Sequence, residues 1–514
     1  MWKRFWRPEV GIFLAVWLLL LVGGRSRLFR DPDTFWHTVV GDRILNAGFF
    51  DQDPYSFTFA GERWIPHQWL GEVLMALIHR VDQLNTLLLV TATLLAGLYA
   101  WAAGRLIRAG MHWSLAVLVL ALTLAPSATH FHVRPHLASI VLLGITAGWL
   151  GDLEAGRKSI RHLFWLVPLY LLWTQLHGGM LGGLCSIGLV MAGWTCYRLA
   201  GLESPVKSVR AFLLLALLIL LCAATIPITP YGLGIFQVWT GIMDSPILPQ
   251  IIEEHAPPSL TRPDGLFLYG YGLFYLIMLA GTYPKPPRVT WLLPLAWLYL
   301  ASTRIRHAPL FAVTAVVALA DLFPNTRWAA MLAKSGSDFF QYPPPLHPSP
   351  LEGEGRWDWR PLTLPVAVVL IALVLQIARV PLPGVGREWA RLDPQLWPTD
   401  LQDELKKVED DGTPIFNEYN LGGFLIYHHP GFRVFVDSRC ELYGPEWLRD
   451  FVQADQEDTA GYFARWQEQY RAFDFALVRP GSGFEDYFKK QGWAEIGRGE
   501  GAILYRKAPA SGGR

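Results

Sequence analysis

Charged residues are scarce in this 514-residue chain, where Asp, Glu, Lys and Arg make up 17% of the sequence, against about 25% in soluble proteins. The 44 basic and 43 acidic residues nearly cancel, which argues against the basic surface that nucleic-acid binding needs. Apolar residues are abundant instead, since 52% of the chain is hydrophobic and 13% is aromatic. Because these residues come in repeated long runs, the composition predicts a polytopic membrane protein.

Cysteine is scarce as well. Cys185, Cys196 and Cys222 lie in apolar runs, and Cys440 lies in the more polar C-terminal part. No two of them have the spacing of a redox pair or of zinc ligands. We therefore expect neither a disulfide framework nor a zinc site.

Hydrophobic runs of the length that a membrane-spanning helix needs predict an α-helical protein with about eleven spans. They lie near 9–24, 84–104, 112–127, 137–151, 163–177, 180–197, 211–227, 265–281, 289–302, 308–323 and 362–382. Short loops rich in Lys and Arg fall on one side of this arrangement, which the positive-inside rule assigns to the cytoplasm. The sequence thus predicts a cytoplasmic N-terminus and, from the odd number of spans, a C-terminus on the other side.

This topology divides the chain into a transmembrane module at 1–323, a linker at 324–361, a last span at 362–382 and a tail at 383–514. The linker has a proline-rich centre and is predicted to be cytoplasmic and disordered. In the tail, charge rises and short strand candidates alternate with helices, which predicts an extracytoplasmic α/β domain. The strand candidates are 415–416, 433–436, 475–478, 493–496 and 502–505.

The outer segment 25–83 begins with Asp31-Pro32-Asp33. Asp31 is a suitable N-cap with Pro32 at the first helical position, and Ala47-Gly48 is a suitable end of that helix. On this helix Asp33 and His37 are four residues apart and share one face. A carboxylate in a first turn can also serve only to oppose the helix dipole, so a purely structural role for Asp33 is the alternative.

The rest of this segment carries further ionisable residues, Asp53, His67 and Glu72. A second helix, with Pro66 in its first turn, has an apolar stripe that predicts an amphipathic helix at the membrane interface. The many aromatic residues here are typical of interfacial anchors. The ionisable residues are less easily explained that way, and we expect them to support the site.

Several patches of the sequence together resemble a family. They are Asp31-Pro32-Asp33-Thr34-Phe35-Trp36-His37, Asp53-Pro54-Tyr55-Ser56-Phe57-Thr58, Val133-Arg134-Pro135-His136, Arg304-Ile305-Arg306-His307, Asn417-Glu418-Tyr419-Asn420-Leu421-Gly422-Gly423 and Val436-Asp437-Ser438-Arg439. With a large outer segment after the first span, the chain resembles a bacterial branch of the GT-C superfamily of polyprenyl-phosphate-sugar-dependent glycosyltransferases. The resemblance covers most of the chain, including the tail.

The resemblance implies a GT-C-like fold in the bacterial inner membrane and transfer of a sugar from a polyprenyl-phosphate donor to an extracytoplasmic glycan, lipid or protein. It also implies that an early Asp acts as a base on the acceptor or holds it. Asp33 is the matching position, with His37 beside it and Asp31 as the second choice. Many members have Asp-Glu where this chain has Asp-Pro-Asp, which leaves open a divalent metal and the type of acceptor.

The leaving lipid phosphate needs cationic or hydrogen-bonding groups. The candidates are two clusters in predicted outer loops, Arg134 with His136 and Arg304 with Arg306 and His307. Charge at such positions often marks a ligand path, although an interfacial Arg can simply extend to the headgroups. Glu253-Glu254-His255, in another outer loop, could contact metal or acceptor, but a solvated loop face is the simpler interpretation.

The remaining site candidates are His177, Asn417, Asp437 and Arg439. His177 ends a predicted span, where a structural hydrogen bond is the more common role. The other three lie at strand ends, where α/β folds bind ligands, so we expect acceptor recognition or docking against the outer segment.

Two other functions fit the sequence less well. One is a non-catalytic GT-C-like scaffold that binds a lipid-linked sugar or a polysaccharide-export partner. The other is a secondary transporter, which would need inverted repeats and charges within the spans.

Overall fold

The computed structural model describes residues 7–243, 249, 252–336, 339 and 360–508. Each of the eleven predicted spans coincides with a helix. These helices are Pro8–Gly23, Trp69–Arg108, Trp113–Ser127, Leu137–Glu154, Leu166–Leu176, Met180–Leu199, Val209–Ala224, Pro263–Ala280, Val289–Thr303, Ala308–Leu322 and Arg360–Ile377. Among the described residues, 7 helices are long and apolar enough to cross a membrane. The polytopic helical fold is thus confirmed, while a count of eleven spans stays a prediction.

The helix Trp69–Arg108 consists of two helices joined by a kink. Asp82 and Gln83 have non-helical backbone angles, with φ of 50° at Gln83. The residues after the kink match the predicted span at 84–104. Those before it form the outer helix, which begins at Trp69 rather than near Pro66.

The first outer helix, Asp33–Ala47, begins one residue later than predicted. The Asp31 Oδ1 atom accepts a hydrogen bond of 2.9 Å from the Asp33 N–H, so Asp31 does satisfy a free donor at this helix start. Gly48, with φ of 84°, ends the helix as expected.

The predicted linker at 324–361 is helical near its start. Thr326 caps a short helix, Arg327–Lys334, by accepting a hydrogen bond from the Ala329 N–H. Within the part of the segment that is described, residues 327–334 are therefore helical. The proline-rich centre, 342–355, lies outside the described residues.

All five predicted tail strands form, in one five-stranded sheet of order β2-β1-β3-β5-β4. The strands are β1 (Thr413–Asn417), β2 (Phe432–Val434), β3 (Phe475–Val478), β4 (Ala494–Arg498) and β5 (Ile503–Arg506). β1 is parallel to β2 and β3, whereas β5 is antiparallel to β3 and β4. Around the sheet lie helices Gln402–Val408, Gly422–His428, Cys440–Tyr443, Pro445–Gln456, Thr459–Gln469 and Gly483–Lys490.

The outer segment and the C-terminal domain share one hydrophobic core. Trp36, Val40, Ile44 and Trp64 of the outer segment belong to the same buried cluster as the residues of β1 to β3. Ser56 forms a parallel bridge with Val434, so the outer segment also extends the sheet beyond β2. The two parts are consequently packed as one body.

Gly423 allows the close approach of the domain to the first outer helix. A Cβ atom on this residue would lie 2.4 Å from the Pro32 carbonyl oxygen, closer than atoms can come without displacement. Gly422 is similarly tight against the Val436 carbonyl oxygen, at 2.2 Å. This pair of glycines therefore serves packing.

Candidate active site

Asp31 and Asp33 hold the guanidinium of Arg134 between them. The Nη1 atom of Arg134 lies 2.6 Å from Asp31 Oδ2, and its Nη2 atom lies 2.6 Å from Asp33 Oδ2. Arg134 comes from the loop before helix Leu137–Glu154, so two predicted outer segments meet here. Both side chains of the predicted acidic pair and the predicted phosphate ligand Arg134 are thus in one cluster.

The second oxygen of Asp33 faces the C-terminal domain. Asp33 Oδ1 accepts hydrogen bonds from Trp36 Nε1 at 3.0 Å and from the Ser438 hydroxyl at 2.5 Å. A carboxylate offers about four lone-pair positions, and these two donors with Arg134 take three. The remaining one, on Oδ2, is the position at which an acceptor hydroxyl can bind.

Burial raises the pKa of the Asp33 carboxyl to about 7, while the charge of Arg134 opposes the rise and that of Asp31 adds to it. A carboxylate whose pKa lies near neutral pH is a stronger base than an exposed one. The environment of Asp33 therefore suits proton abstraction.

Glu254 joins Arg134 to Arg306. Its Oε2 atom lies 3.7 Å from Arg134 Nη1, and its Oε1 atom lies 3.4 Å from Arg306 Nη1. The expectation that Glu253-Glu254 is a solvated loop face is wrong for Glu254, whose side chain is 22% exposed, and correct for Glu253 at 74%. Arg306 also contacts the His255 ring.

The histidines near Arg134 are neutral. Burial, together with the charge of the Arg134 guanidinium, lowers the pKa of His136 to about 3. Its Nε2 atom is 2.9 Å from the His130 carbonyl oxygen. His177 bonds the Ser139 hydroxyl and accepts the Gly179 N–H, the structural role that is common for such a residue. His136 can thus contribute hydrogen bonds here, but not charge.

His37 does not pair with Asp33. Its Nδ1 atom lies 2.9 Å from Glu72 Oε1, and both side chains are buried. Among the described residues no hydrogen bond joins His37 to Asp33. The pairing follows from Gly41, where a Cβ atom would lie 1.9 Å from the Glu72 carbonyl oxygen and so would separate the two helices. Asp33 and His37 share a helix face, but the hydrogen-bond partner of His37 is Glu72.

Asp53, Asp437 and Arg439 form a fully buried ion cluster. Arg439 makes two bonds to Asp437, of 2.8 and 2.6 Å, and its Nη1 atom lies 2.7 Å from Asp53 Oδ1. The guanidinium also lies over the rings of Tyr55 and Trp64. This cluster thus connects the outer segment to the C-terminal domain.

The other predicted residues have separate surroundings. Asn417 is buried and links the ends of β1 and β2 through the Val436 carbonyl and the Phe435 N–H. The ring of His307 lies 6.0 Å from that of Trp297. Arg304 has no ion pair within the described part of the chain. His67 lies within electrostatic range of His37 and His177.

Sequence reasoning missed Ser438 and Trp36 as neighbours of Asp33. Both occur in patches that resemble the family. Trp36 lies three residues from Asp33, a helical spacing that brings side chains together, whereas no local pattern indicates which residue of the tail meets Asp33. The resemblance of these patches to the family therefore singled out the residues without indicating which side chains they contact.

Several buried polar atoms around Arg134 have no hydrogen-bond partner among the described residues. They are Arg134 Nε, His132 Nδ1, His136 Nδ1 and His255 Nδ1. Unpaired buried polar atoms are costly, so a polar ligand that bonds them would be stabilised here. Within the described residues, no group of three or more His, Cys, Asp or Glu is arranged to hold a metal ion. Since the two carboxylates bind a guanidinium, this residue set does not fit a divalent metal.

Comparison with known proteins identifies the fold. No family model and no curated protein sequence matches the chain. The apo oligosaccharyltransferase of Archaeoglobus fulgidus is 13% identical with a TM-score of 0.53, over 93% of this chain and 70% of that one. The same archaeal enzyme, AglB, in complex with an inhibitory peptide and a dolichol-phosphate, is 11% identical with a TM-score of 0.53 and the same coverage. Apo ArnT from Cupriavidus metallidurans is 15% identical with a TM-score of 0.51, over 97% of this chain and 99% of that one.

These similarities establish the fold alone. The chain shares the fold of the archaeal oligosaccharyltransferase and of ArnT, with apolar helices followed by a C-terminal sheet domain. At such low identity, activity and substrates are inferred from the site itself.

Proposed function

We propose that this chain is a glycosyltransferase that moves a sugar from a polyprenyl-phosphate donor to an acceptor outside the cytoplasm of a bacterial cell. The observation that carries the proposal is the Asp31–Arg134–Asp33 cluster, built from two predicted outer loops. A solved GT-C structure of the same fold binds a dolichol-phosphate, which supports a lipid-phosphate donor. The acceptor class stays open among glycan, lipid and protein.

Asp33 would act as the base. As the acceptor hydroxyl attacks the anomeric carbon, a new C–O bond forms and the bond from that carbon to the phosphate oxygen breaks. The proton of the hydroxyl passes to Asp33 Oδ2, and the lipid phosphate leaves with the bonding electron pair. A single displacement of this kind inverts the anomeric centre and needs no covalent enzyme intermediate.

Arg134 and Arg306 would bind the phosphate. Glu254 lies between them, and a carboxylate held by two guanidiniums marks a position that favours an anion. A donor phosphate that replaces Glu254 would contact both cations, and the unpaired Nε of Arg134 is a further donor for it. Fixed charges that meet the leaving oxygen in a site with little water stabilise the transition state.

A cleft beside the Asp31–Asp33 turn would hold the acceptor. It has a volume of about 410 Å³ and is lined by residues of the outer segment and the tail, including Arg30, Pro32, Asp393, Asn420 and Arg479. Asn420 and Arg479 follow β1 and β3 at the carboxyl ends of parallel strands, where α/β folds bind ligands. The mixed charges and amides suit a ligand with many hydroxyl groups.

The test compares two aspartates of one helix. Native mass spectrometry of the detergent-purified protein first identifies the bound polyprenyl-phosphate sugar. The same lipid, carrying a radiolabel in its sugar, then serves as the donor in a transfer assay. We expect Asp33→Asn to abolish transfer, since an amide cannot accept the proton. Asp42→Asn, which alters an exposed ion pair with Arg80, should leave transfer unchanged.

Full transfer by Asp33→Asn would refute the base assignment. Donor that copurifies but is never consumed by the unmodified chain would instead support the non-catalytic scaffold.

A further inference from the structure

The side chain of Ser438, in the C-terminal domain, donates a hydrogen bond to Asp33. Its hydroxyl lies 2.5 Å from Asp33 Oδ1. The indole N–H of Trp36 lies 3.0 Å from the Ser438 oxygen and also 3.0 Å from Asp33 Oδ1. Because the indole can only donate, the serine oxygen accepts from it, and the serine hydrogen is free to point at the carboxylate.

The backbone on both sides of Ser438 is held by buried bonds. The Asp437 N–H donates to the Tyr443 hydroxyl at 3.1 Å, and the Arg439 N–H donates to Asp437 Oδ1 at 3.0 Å. The Ser438 carbonyl accepts from the Tyr419 hydroxyl at 3.2 Å. The serine therefore has a fixed position.

That position is tied to the helix that carries Asp33. Arg439 pairs with Asp53 of the outer segment, and Gly423 packs against the Pro32 carbonyl. Both contacts connect the domain to the segment that presents Asp33. A side chain on such a rigid connection can orient a neighbouring group with little loss of entropy.

We propose that Ser438 is a positioning residue for Asp33, by which the C-terminal domain completes the catalytic site. The hydroxyl holds Oδ1 so that Oδ2 faces Arg134 and the acceptor. It also stabilises the charged carboxylate, and so keeps the base available near neutral pH. The role in catalysis rests on the proposed function, whereas the effect on the titration of Asp33 does not.

Besides the Ser438 hydroxyl, several charged or titratable groups surround Asp33. The titratable or charged groups that act on it from packed elements are Asp31, Arg134, Glu254, Tyr419 and Cys440. The Ser438 bond favours the ionised form, and its loss leaves these other groups in place. Removal of the hydroxyl should therefore raise the pH at which Asp33 titrates.

The experiment follows the Asp33 carboxyl directly, without a substrate. Infrared difference spectra of the full-length, detergent-purified protein are recorded over a pH series, and the protonated-carboxyl band of Asp33 is assigned by its loss in Asp33→Asn. We expect Ser438→Ala to raise the midpoint of this band by about one pH unit or more. Ser438→Thr, which keeps the hydroxyl, should retain the original midpoint.

Thr58→Val is the matched control. The Thr58 hydroxyl also crosses from the outer segment to the domain, where it donates to the Phe435 carbonyl oxygen at 2.6 Å, away from Asp33. Its removal loosens the same interface by one hydrogen bond and should not move the band. With the donor identified above, the acidic limb of the pH–rate profile should shift with Ser438→Ala and not with Thr58→Val.

Three results would overturn the proposal. The midpoint stays the same in Ser438→Ala, it moves equally in Thr58→Val, or Asp33 does not titrate between about pH 5 and pH 9. If Ser438→Ala does not fold, Ser438→Cys provides the weaker thiol donor and should give a smaller upward shift. A shifted midpoint in a protein that transfers no sugar would refute the proposed function and leave the Ser438–Asp33 bond established.

Discussion

Replacing Arg439 by methionine leaves two carboxylates in the protein interior without their counter-charge. Arg439, Asp53 and Asp437 are fully buried, and the guanidinium bonds both acids. Removing one partner of a buried pair costs about 3–5 kcal/mol, because the remaining charge is neither solvated nor paired. We expect a loss of this size for Arg439→Met, concentrated where the outer segment meets the C-terminal domain.

Arg498→Met is the control, because it removes an arginine that also pairs with two acids but is exposed rather than buried. Arg498 also bonds two acids, Glu485 and Glu495, but its side chain is 43% exposed. Exposed pairs contribute up to about 1 kcal/mol, so this change should have a small effect.

Hydrogen–deuterium exchange measured by mass spectrometry tests the difference. Since about 1.4 kcal/mol corresponds to a factor of ten, peptides from 50–66 and 432–443 should exchange at least a hundredfold faster in Arg439→Met. Equal exchange in the two variants, or a change below about tenfold in Arg439→Met, would refute the reasoning.

Two further predictions concern the site. Transfer should rise with pH through about 7, because burial raises the pKa of Asp33 to about 7 and only the deprotonated form can accept a proton; a flat pH–rate profile between about pH 5 and pH 8 would contradict this. Gly423→Ala should lower transfer by about a hundredfold, since its methyl group would meet the Pro32 carbonyl and shift the domain away from Asp33. Gly188→Ala, whose added atom meets nothing within 4 Å, should transfer normally in the same assay.

Elements that depend on local pattern were predictable from the sequence. Every predicted span coincides with a helix, because a long apolar run has few other ways to satisfy its backbone. The tail strands were found because short β-branched and aromatic runs alternate with helical patterns. Gly48 ended its helix as expected, since its positive φ excludes most other residues.

Partners across the chain were not predictable in the same way. Glu253 and Glu254 are neighbours of identical chemistry, and yet one is solvated while the other bridges two arginines. His37 had an acid four residues away and bonded Glu72 of another helix instead. Such pairings depend on how closely two backbones approach each other. Small residues such as Gly41 permit that approach, and it is known only once the helices have packed. The candidate site residues could be proposed from sequence, but not their pairing.

The hydrogen bond between Asp33 and Ser438 joins residues 405 positions apart. During synthesis the ribosome makes the first outer helix early and Ser438 only after the last membrane helix has emerged. Chains are made from the N-terminus, and their domains fold as units, so a nascent chain holds Asp33 without the Ser438 hydroxyl until the C-terminal domain is made. The proposed site therefore becomes complete only when that domain has folded, and a product that terminates before Ser438 retains the proposed base without this hydrogen bond.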